Sequence, residues 1–186
     1  MSETQVIAVD LDGTFTLTDT LHESVLWLVQ NKPYLLLLLP FWLFQGIAYL
    51  KQKIAEYSEL DVTTLPYNQP LIDWLRNEKL KEKRIVLSTA ANERVAQAIV
   101  DHFDLFDEFI ASDSKINMKS AQKRNKLQER YGNKAYDYVG NSNDDLEVWA
   151  GASQAIIVNA GSGVLNKASK VATVTRTFLS DRAGIK

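Results

Sequence analysis

Two aspartates spaced two apart, Asp10 and Asp12, close a short apolar run, Gln5 to Val9, and are followed at once by Gly13 and Thr14. Both carboxylates can project from one tight loop at a strand end, a geometry that suits a nucleophile beside a proton donor. Carboxylates this close repel each other and would raise one pKa, whereas a bound divalent cation offsets the repulsion and keeps the nucleophile ionised. Magnesium, a hard ion that prefers oxygen ligands, is the expected partner. An Asp-rich turn after a strand has the same local composition, so the pair gains meaning only from company elsewhere in the chain.

Three further segments supply that company. Ile85 to Thr89 is an apolar run ending in hydroxyls, and a helix opens at Asn92. Thr89 (or Ser88) and the backbone N–H groups beside it, that of Ala90 among them, could hold phosphate oxygens. Lys119 (or Lys123) opens a later helix, where an ammonium can neutralise phosphate charge. Gly140-Asn-Ser-Asn-Asp-Asp145 follows another apolar run, and Asn141 and Asp145 offer oxygen ligands that complete a metal site, with Asp144 as a helper. Each of these residues taken singly is an ordinary cap, turn or helix-surface residue.

The elements that must position them follow from periodicity. Strand-length apolar runs occur at Gln5–Val9, Arg84–Thr89, Glu108–Ser112, Tyr136–Gly140 and Ala155–Asn159, separated by amphipathic helical patterns at Asn92–Phe103, Lys119–Tyr131 and Asp144–Ala150. This alternation specifies an α/β fold, a parallel sheet flanked by helices, with ligands at the carboxyl ends of the strands. The connection between the first two strands is far longer than a simple crossover requires. Residues 15–64 are therefore expected to form a helical cap inserted after the first strand, on a catalytic core of 1–14 and 65–186. In it, a helix is expected at Asp19–Gln30, an apolar segment from Pro33 and a polar helix end at Lys51–Ser58. Leu65-Pro-Tyr-Asn68 marks the return and Pro70–Leu80 a helix into the second strand.

Composition narrows the function. With 46% hydrophobic residues the chain can bury a core, and its net charge of −2 with no long Lys/Arg run argues against nucleic acid as a partner. The absence of cysteine removes thiolate zinc sites and cysteine nucleophiles and suits a reducing compartment, the cytoplasm. Met1 to Val9 has no secretory signal pattern. Tyr34–Leu50 is apolar apart from Gln45 but is interrupted by Pro40 and Gly46, at the short limit of a bilayer span. His22 and His102 read as structural or solvated.

In this order and all at strand ends, the segments Asp10-Leu-Asp-Gly-Thr14, Thr89 (or Ser88), Lys119 (or Lys123) and Gly140–Asp145 resemble the motifs of the haloacid dehalogenase (HAD) superfamily across nearly the whole chain. The resemblance implies a Rossmann-type HAD-like core. It also implies a two-step phosphoryl transfer: Asp10 forms an aspartyl-phosphate, while Asp12 protonates the leaving oxygen and then activates water. Asp10, the carbonyl of Asp12, Asn141 and Asp145 would bind Mg2+, and Thr89, Ala90 and Lys119 would hold the phosphoryl group. Asn141 departs from the family's usual Asp and removes one negative charge from the metal site.

The cap's position resembles that of the phosphoserine-phosphatase-like branch. Leu65-Pro-Tyr-Asn68, His102–Asp107, Ala111-Ser-Asp113, Asn117-Met-Lys119 and Gly140-Asn-Ser142 are also similar to the HAD domain found N-terminal to UbiA-like prenyltransferases, with Ile185-Lys186 falling where a membrane domain would follow. The apolar cap residues, Leu35–Leu39 and Phe41–Phe44, are expected either to pack between cap helices or to face a membrane or hydrocarbon chain. A phosphatase of a small-molecule or lipid-linked phosphate is thus expected, cytoplasmic or at the inner face of the membrane, with a membrane prenyltransferase as an implied partner. A phosphomutase and a weakly catalytic binding or regulatory module are the alternatives.

Overall fold

The computed structural model describes residues 5–179. Expectations placed on Met1 to Thr4 and on Ile185-Lys186 lie outside them. Strand β1 (Val6–Val9) leads into the loop Leu11–Phe15, then helices α1 (Thr20–Asn31), α2 (Leu39–Phe44), α3 (Ile47–Tyr57) and α4 (Gln69–Lys79). There follow β2 (Arg84–Asn92), α5 (Glu93–His102), β3 (Glu108–Ser112), α6 (Ala121–Tyr131), β4 (Tyr136–Gly140), α7 (Leu146–Gly151), β5 (Gln154–Val158), α8 (Ser162–Val171) and β6 (Thr173–Phe178). All six strands pair in parallel in the order β3-β2-β1-β4-β5-β6, so the α/β expectation holds.

The strands are apolar on both sides because both faces of the sheet are covered. Ile7, Val9, Ile85, Leu87, Val139 and Ile156 point to the face closed by Leu71, Ile72 and Leu75 of α4 and Val95, Ala96 and Ile99 of α5. Val6, Ala8, Val86, Tyr136, Tyr138 and Ile157 point to the other, closed by Leu127 of α6, Val148 and Trp149 of α7 and Ala168 of α8. β1 lies at the centre of the sheet, so its carboxyl end opens between two neighbouring strand ends, where the order turns from β2 to β4.

The expected strands and most helices occur within a residue or two, with informative exceptions. β2 runs three residues beyond Thr89, to Asn92. α6 begins at Ala121, not Lys119, because Ser120 takes a left-handed backbone (φ 47°) that a helix cannot continue through. α8 and β6 had no counterpart in the pattern analysis. β6 is an edge strand of mostly exposed Thr and Arg side chains, without the continuous apolar run that marks a buried strand.

The insertion forms a separate small layer. Leu28, Leu35, Trp42 and Ile54 make its own cluster, and its neck is closed by an antiparallel bridge between Thr16 and Tyr67, with Leu17 N donating to Pro66 O at 2.7 Å. Phe15 and Val62, inside the 15–64 span, pack in the main core instead. The apolar stretch at Tyr34–Leu50 is divided between a short 3-10 turn (Pro33–Leu38), α2 and the start of α3. Among the described residues no helix is long and apolar enough to cross a membrane.

Candidate active site

The loop after β1 turns so sharply that Phe15 N donates to Asp10 O (3.3 Å) and Thr16 N to Leu11 O (2.9 Å). The turn requires glycine at position 13: its φ is +73°, and a Cβ there would stand 2.2 Å from Asn141 Nδ2. The bare backbone thereby admits Asn141, arriving from the end of β4, to the side of the Asp10 loop.

Asp10 is 9% exposed. Its Oδ1 accepts from Lys123 Nζ at 2.6 Å and its Oδ2 from Thr14 Oγ1 at 3.4 Å. Burial pushes its pKa up to about 7, with Lys123 opposing the rise and Asp145 and Asp12 adding to it. Lys123 is buried as well; burial alone would lower its pKa, but Asp10 and Asp145 outweigh that and leave it raised. The ammonium against Asp10 is therefore that of Lys123, in the first turn of α6. Lys119, the first of the two lysines the sequence offered, stands half exposed at the rim and pairs with Asp144 at 3.0 Å. The later start of α6 explains the exchange: the first helical turn that faces β1 carries residue 123.

Asp12 Oδ1 accepts the backbone N–H of Thr20, the first residue of α1, at 2.7 Å. Burial raises its pKa, which favours the protonated form a general acid needs. Thr89 is fully buried, and its Oγ1 accepts from Ala91 N at 2.9 Å, leaving its own hydrogen to donate. Ser88 Oγ is buried without a partner. Of this segment it is Ala90 that lines the cavity, together with Asp10, Asp12, Asp19, Lys51, Lys119, Lys123, Asn141 and Asp145. That cavity has a volume of about 260 Å³.

Asp145 is tied into the protein. Its Oδ2 accepts from Asn141 N (2.9 Å), Ser142 N (3.0 Å) and Ser142 Oγ (3.3 Å), and its Oδ1 from Tyr138 OH (2.8 Å). It closes a capping box at the short 3-10 turn before α7. Where the sequence placed Asp145 among the metal ligands, the structure shows it holding the Asn141 loop. The oxygens beside Asp10 that fit a magnesium ion are the Asp10 carboxylate, the Asp12 carbonyl and the Asn141 amide. All are hard donors, and the missing side chain of Gly13 makes room for the third. Among the described residues no cluster of three His, Cys, Asp or Glu side chains is arranged for a metal, so carbonyl and amide oxygens have to contribute.

Two site residues went unnoticed in the sequence. Tyr138 lies in β4 and reads as an apolar core residue, yet its hydroxyl accepts from Lys123 Nζ at 2.9 Å and donates to Asp145, linking the lysine to the capping carboxylate. Lys51 reads as the polar end of a cap helix, yet it reaches the cavity wall. Only the two-residue offset of Tyr138 from Gly140 on an inward-facing strand could have pointed to the first. His22 and His102 are not among the residues lining the cavity, and His102 stacks on Tyr67.

The fold has well-defined relatives. A HAD family hydrolase from Salmonella enterica serovar Typhi superposes with a TM-score of 0.65 at 15% identity, covering 94% of this chain and 67% of that one. A phospho-aspartyl intermediate analogue of phosphoserine phosphatase superposes with a TM-score of 0.61 at 11% identity, covering 95% and 94%. In sequence, the chain is 31% identical over 175 residues to the uncharacterized protein y4nM of Sinorhizobium fredii, covering 94% of this chain and 34% of that protein. It thus spans about a third of that relative's length. No protein-family model matches the chain. At these identities the structural likeness shows the fold, which is that of HAD-type phosphatases.

Proposed function

We propose that the protein is a magnesium-dependent phosphatase that hydrolyses a phosphate monoester through an aspartyl-phosphate on Asp10. The observation that carries this reading is the buried Asp10–Lys123 pair with Asp12 beside it, opening into one polar cavity at the carboxyl end of β1. In the first step an Asp10 oxygen bonds to phosphorus, the ester P–O bond breaks, and Asp12 gives its proton to the leaving oxygen. In the second, Asp12 takes a proton from water, the water oxygen bonds to phosphorus, and the bond to Asp10 breaks. Lys123 offsets charge on the transferring group, and the Ala90 amide holds its oxygens, with Thr89 behind it fixing the segment through Ala91 N; little beyond positioning and charge neutralisation is needed. A cation held by Asp10, the Asp12 carbonyl and Asn141 would supply the remaining neutralisation. The fold of the phospho-aspartyl phosphoserine phosphatase analogue supports the same chemistry.

A lipid-linked or prenyl phosphate, with a membrane surface or membrane prenyltransferase as partner, is a second reading favoured by one feature. Tyr34, Leu37, Phe41, Leu43 and Phe44 lie exposed on the outside of the cap, Phe44 at 93%. The hydrocarbon would have to lie on that outer face.

The test is phosphate release from p-nitrophenyl phosphate, phosphoserine and short polyprenyl phosphates, with and without Mg2+, in wild type and Asp10→Asn. We expect Mg2+-dependent release that falls at least about a thousandfold in the variant. We also expect a requirement for Mg2+ that is steepest below about pH 7, where a proton competes with the metal for Asp10. Release unaffected by Asp10→Asn would overturn the reading, transfer to a second sugar phosphate instead of water would make the protein a phosphomutase, and membrane or partner binding without turnover would make it a binding module.

A further inference from the structure

The exposed apolar side chains of the protein are not scattered. Of the fifteen large ones among the described residues, nine fall between Leu26 and Ile47, in cap segments that pack on one another: α1, the 3-10 turn with α2, and the start of α3. Tyr34 and Leu37 are three apart in the 3-10 turn and share a side. Phe41 and Phe44 do the same in α2, while Leu35 and Trp42 turn inward. Leu37 is 76% exposed and Phe44 93%. A concentration of apolar surface on this scale marks an interaction site. None of the residues from Tyr34 to Ile47 lines the cavity of Asp10, so the active site does not account for them.

Charge and backbone bonding identify the occupant. From Ser24 to Ala55 there is no Asp or Glu, and there are three lysines, Lys32, Lys51 and Lys53; the rest of the chain holds 18 basic against 23 acidic residues. Lys32 and Lys53 stand at the two ends of the segment, paired with Glu59 (3.2 Å) and Glu56 (2.7 Å), and Lys51 is turned to the cavity wall. The face between them is uncharged, and what charge its own segment carries is positive. A protein partner would find little to bond, since from Pro33 to Leu50 the exposed polar side chains are Tyr34 and Gln45, whereas protein interfaces carry about one hydrogen bond per 100–200 Å². A second copy would bring two faces of the same sign together. The backbone at the tip answers itself: Gln45 N donates to Trp42 O (3.1 Å), Gly46 N to Leu43 O (2.9 Å) and Leu50 N to Gly46 O (3.0 Å). Only a backbone bonded within itself is tolerated where lipid replaces water.

We propose that this face is a membrane foot, by which the cap lies on a lipid bilayer. Tyr34, Leu37, Phe41 and Phe44 enter the boundary between headgroups and acyl chains, about 5–10 Å deep. Among the described residues no helix is long and apolar enough to cross a membrane, so the contact is one-sided. The foot rests on the membrane contact of the lipid-phosphate reading and narrows it to the bilayer itself; it needs neither turnover nor a lipid substrate. Helix α3 joins foot and site: Ile47 is exposed at the edge of the face, and Lys51, one turn later, reaches the cavity wall, about 6 Å along the helix axis. A docked cap therefore holds the cavity close to the headgroups. The excess of acidic residues in the rest of the chain favours the same orientation on an anionic surface.

The experiment sediments the full chain with sucrose-loaded vesicles of phosphatidylcholine, alone and with added phosphatidylglycerol. Wild type is compared with Phe41→Ser/Phe44→Ser, with Leu37→Ser, and with Leu80→Ser, a control at an apolar residue 83% exposed beyond α4. We expect wild type to bind both vesicles, about threefold more tightly with phosphatidylglycerol. The paired change should lower partitioning at least about tenfold and Leu37→Ser about threefold, with Leu80→Ser unchanged. Amide exchange in α1 to α3 checks that each variant keeps its cap, and Leu37→Ser decides alone if the paired change does not fold. No sedimentation of wild type with either vesicle, or an equal loss in Leu80→Ser, would overturn the foot. A wild-type dimer that the paired change dissociates, read by light scattering, would overturn it too and assign the face to a second copy. Hydrolysis of no ester, or of water-soluble esters alone, would remove the phosphatase or the lipid-substrate reading, while the vesicle result still decides the foot.

Discussion

The core and the cap use the same kind of residue to different ends. In the core, Trp149 is fully buried and its Nε1 donates to Tyr138 O at 3.2 Å; helices close over both faces of the sheet. In the cap, Trp42 stacks on Tyr57 with ring centroids 5.6 Å apart, within a cluster of four buried residues that is covered from one side and bare on the other. The core has enough apolar area to hold the Asp10 loop rigidly. The cap holds itself together with much less, which suits an element that must move when substrate enters. The two meet through polar contacts: Thr20 to Asp12, Lys51 to Ala90, and Asn92 Nδ2 to Gln52 at 2.6 Å. Asp12 is thus held by a cap helix, while Asp10 is held by Lys123 of the core.

Removing each tryptophan would break that contrast if it is false. Trp149→Ala should cost about 3–5 kcal/mol and lower the global melting temperature. Trp42→Ala should cost less than Trp149→Ala and register first as faster amide exchange in α1 to α3, with the sheet still protected. Equal global losses would mean that cap and core unfold as one. A smaller effect is expected at the hub of the site. Tyr138→Phe leaves Asp145 Oδ1 and Lys123 each one bond short in a buried place, at about 1–3 kcal/mol. We expect a fold intact by circular dichroism and turnover about tenfold lower, with KM little changed, since the hydroxyl orients Lys123 and the Asn141 loop and is not among the groups lining the cavity. The smallest effect belongs to the bare face: Phe44→Ser should change stability by no more than about 0.5 kcal/mol. A large loss by thermal melting would show that the outer apolar residues support the cap fold.

Much of this arrangement was legible in the chain, for local reasons. Val6–Val9 and Ile85–Leu87 read as buried strands because both faces of a covered parallel sheet demand apolar side chains. Asp10, Asp12 and Gly13 read as a loop because a turn this sharp needs a residue at positive φ. The length of the insertion followed from the gap between strands. Edge strand β6 escaped because its exposed Thr and Arg alternation carries no burial signal.

Within the site, residue type and spacing alone marked Asp10 and Asp12, the ends of β1, β2 and β4, and the helix start that supplies a lysine, as the places that converge. Tertiary structure decided which lysine faces Asp10, since a left-handed Ser120 shifts the start of α6 by two residues and turns Lys123 inward. It also decided that Asp145 is bound by Tyr138 and the loop amides, and that Lys51 crosses from cap to core. Those outcomes depend on which distant segments meet and on which hydrogen bonds remain once they do, and periodicity along a single segment carries no information about either.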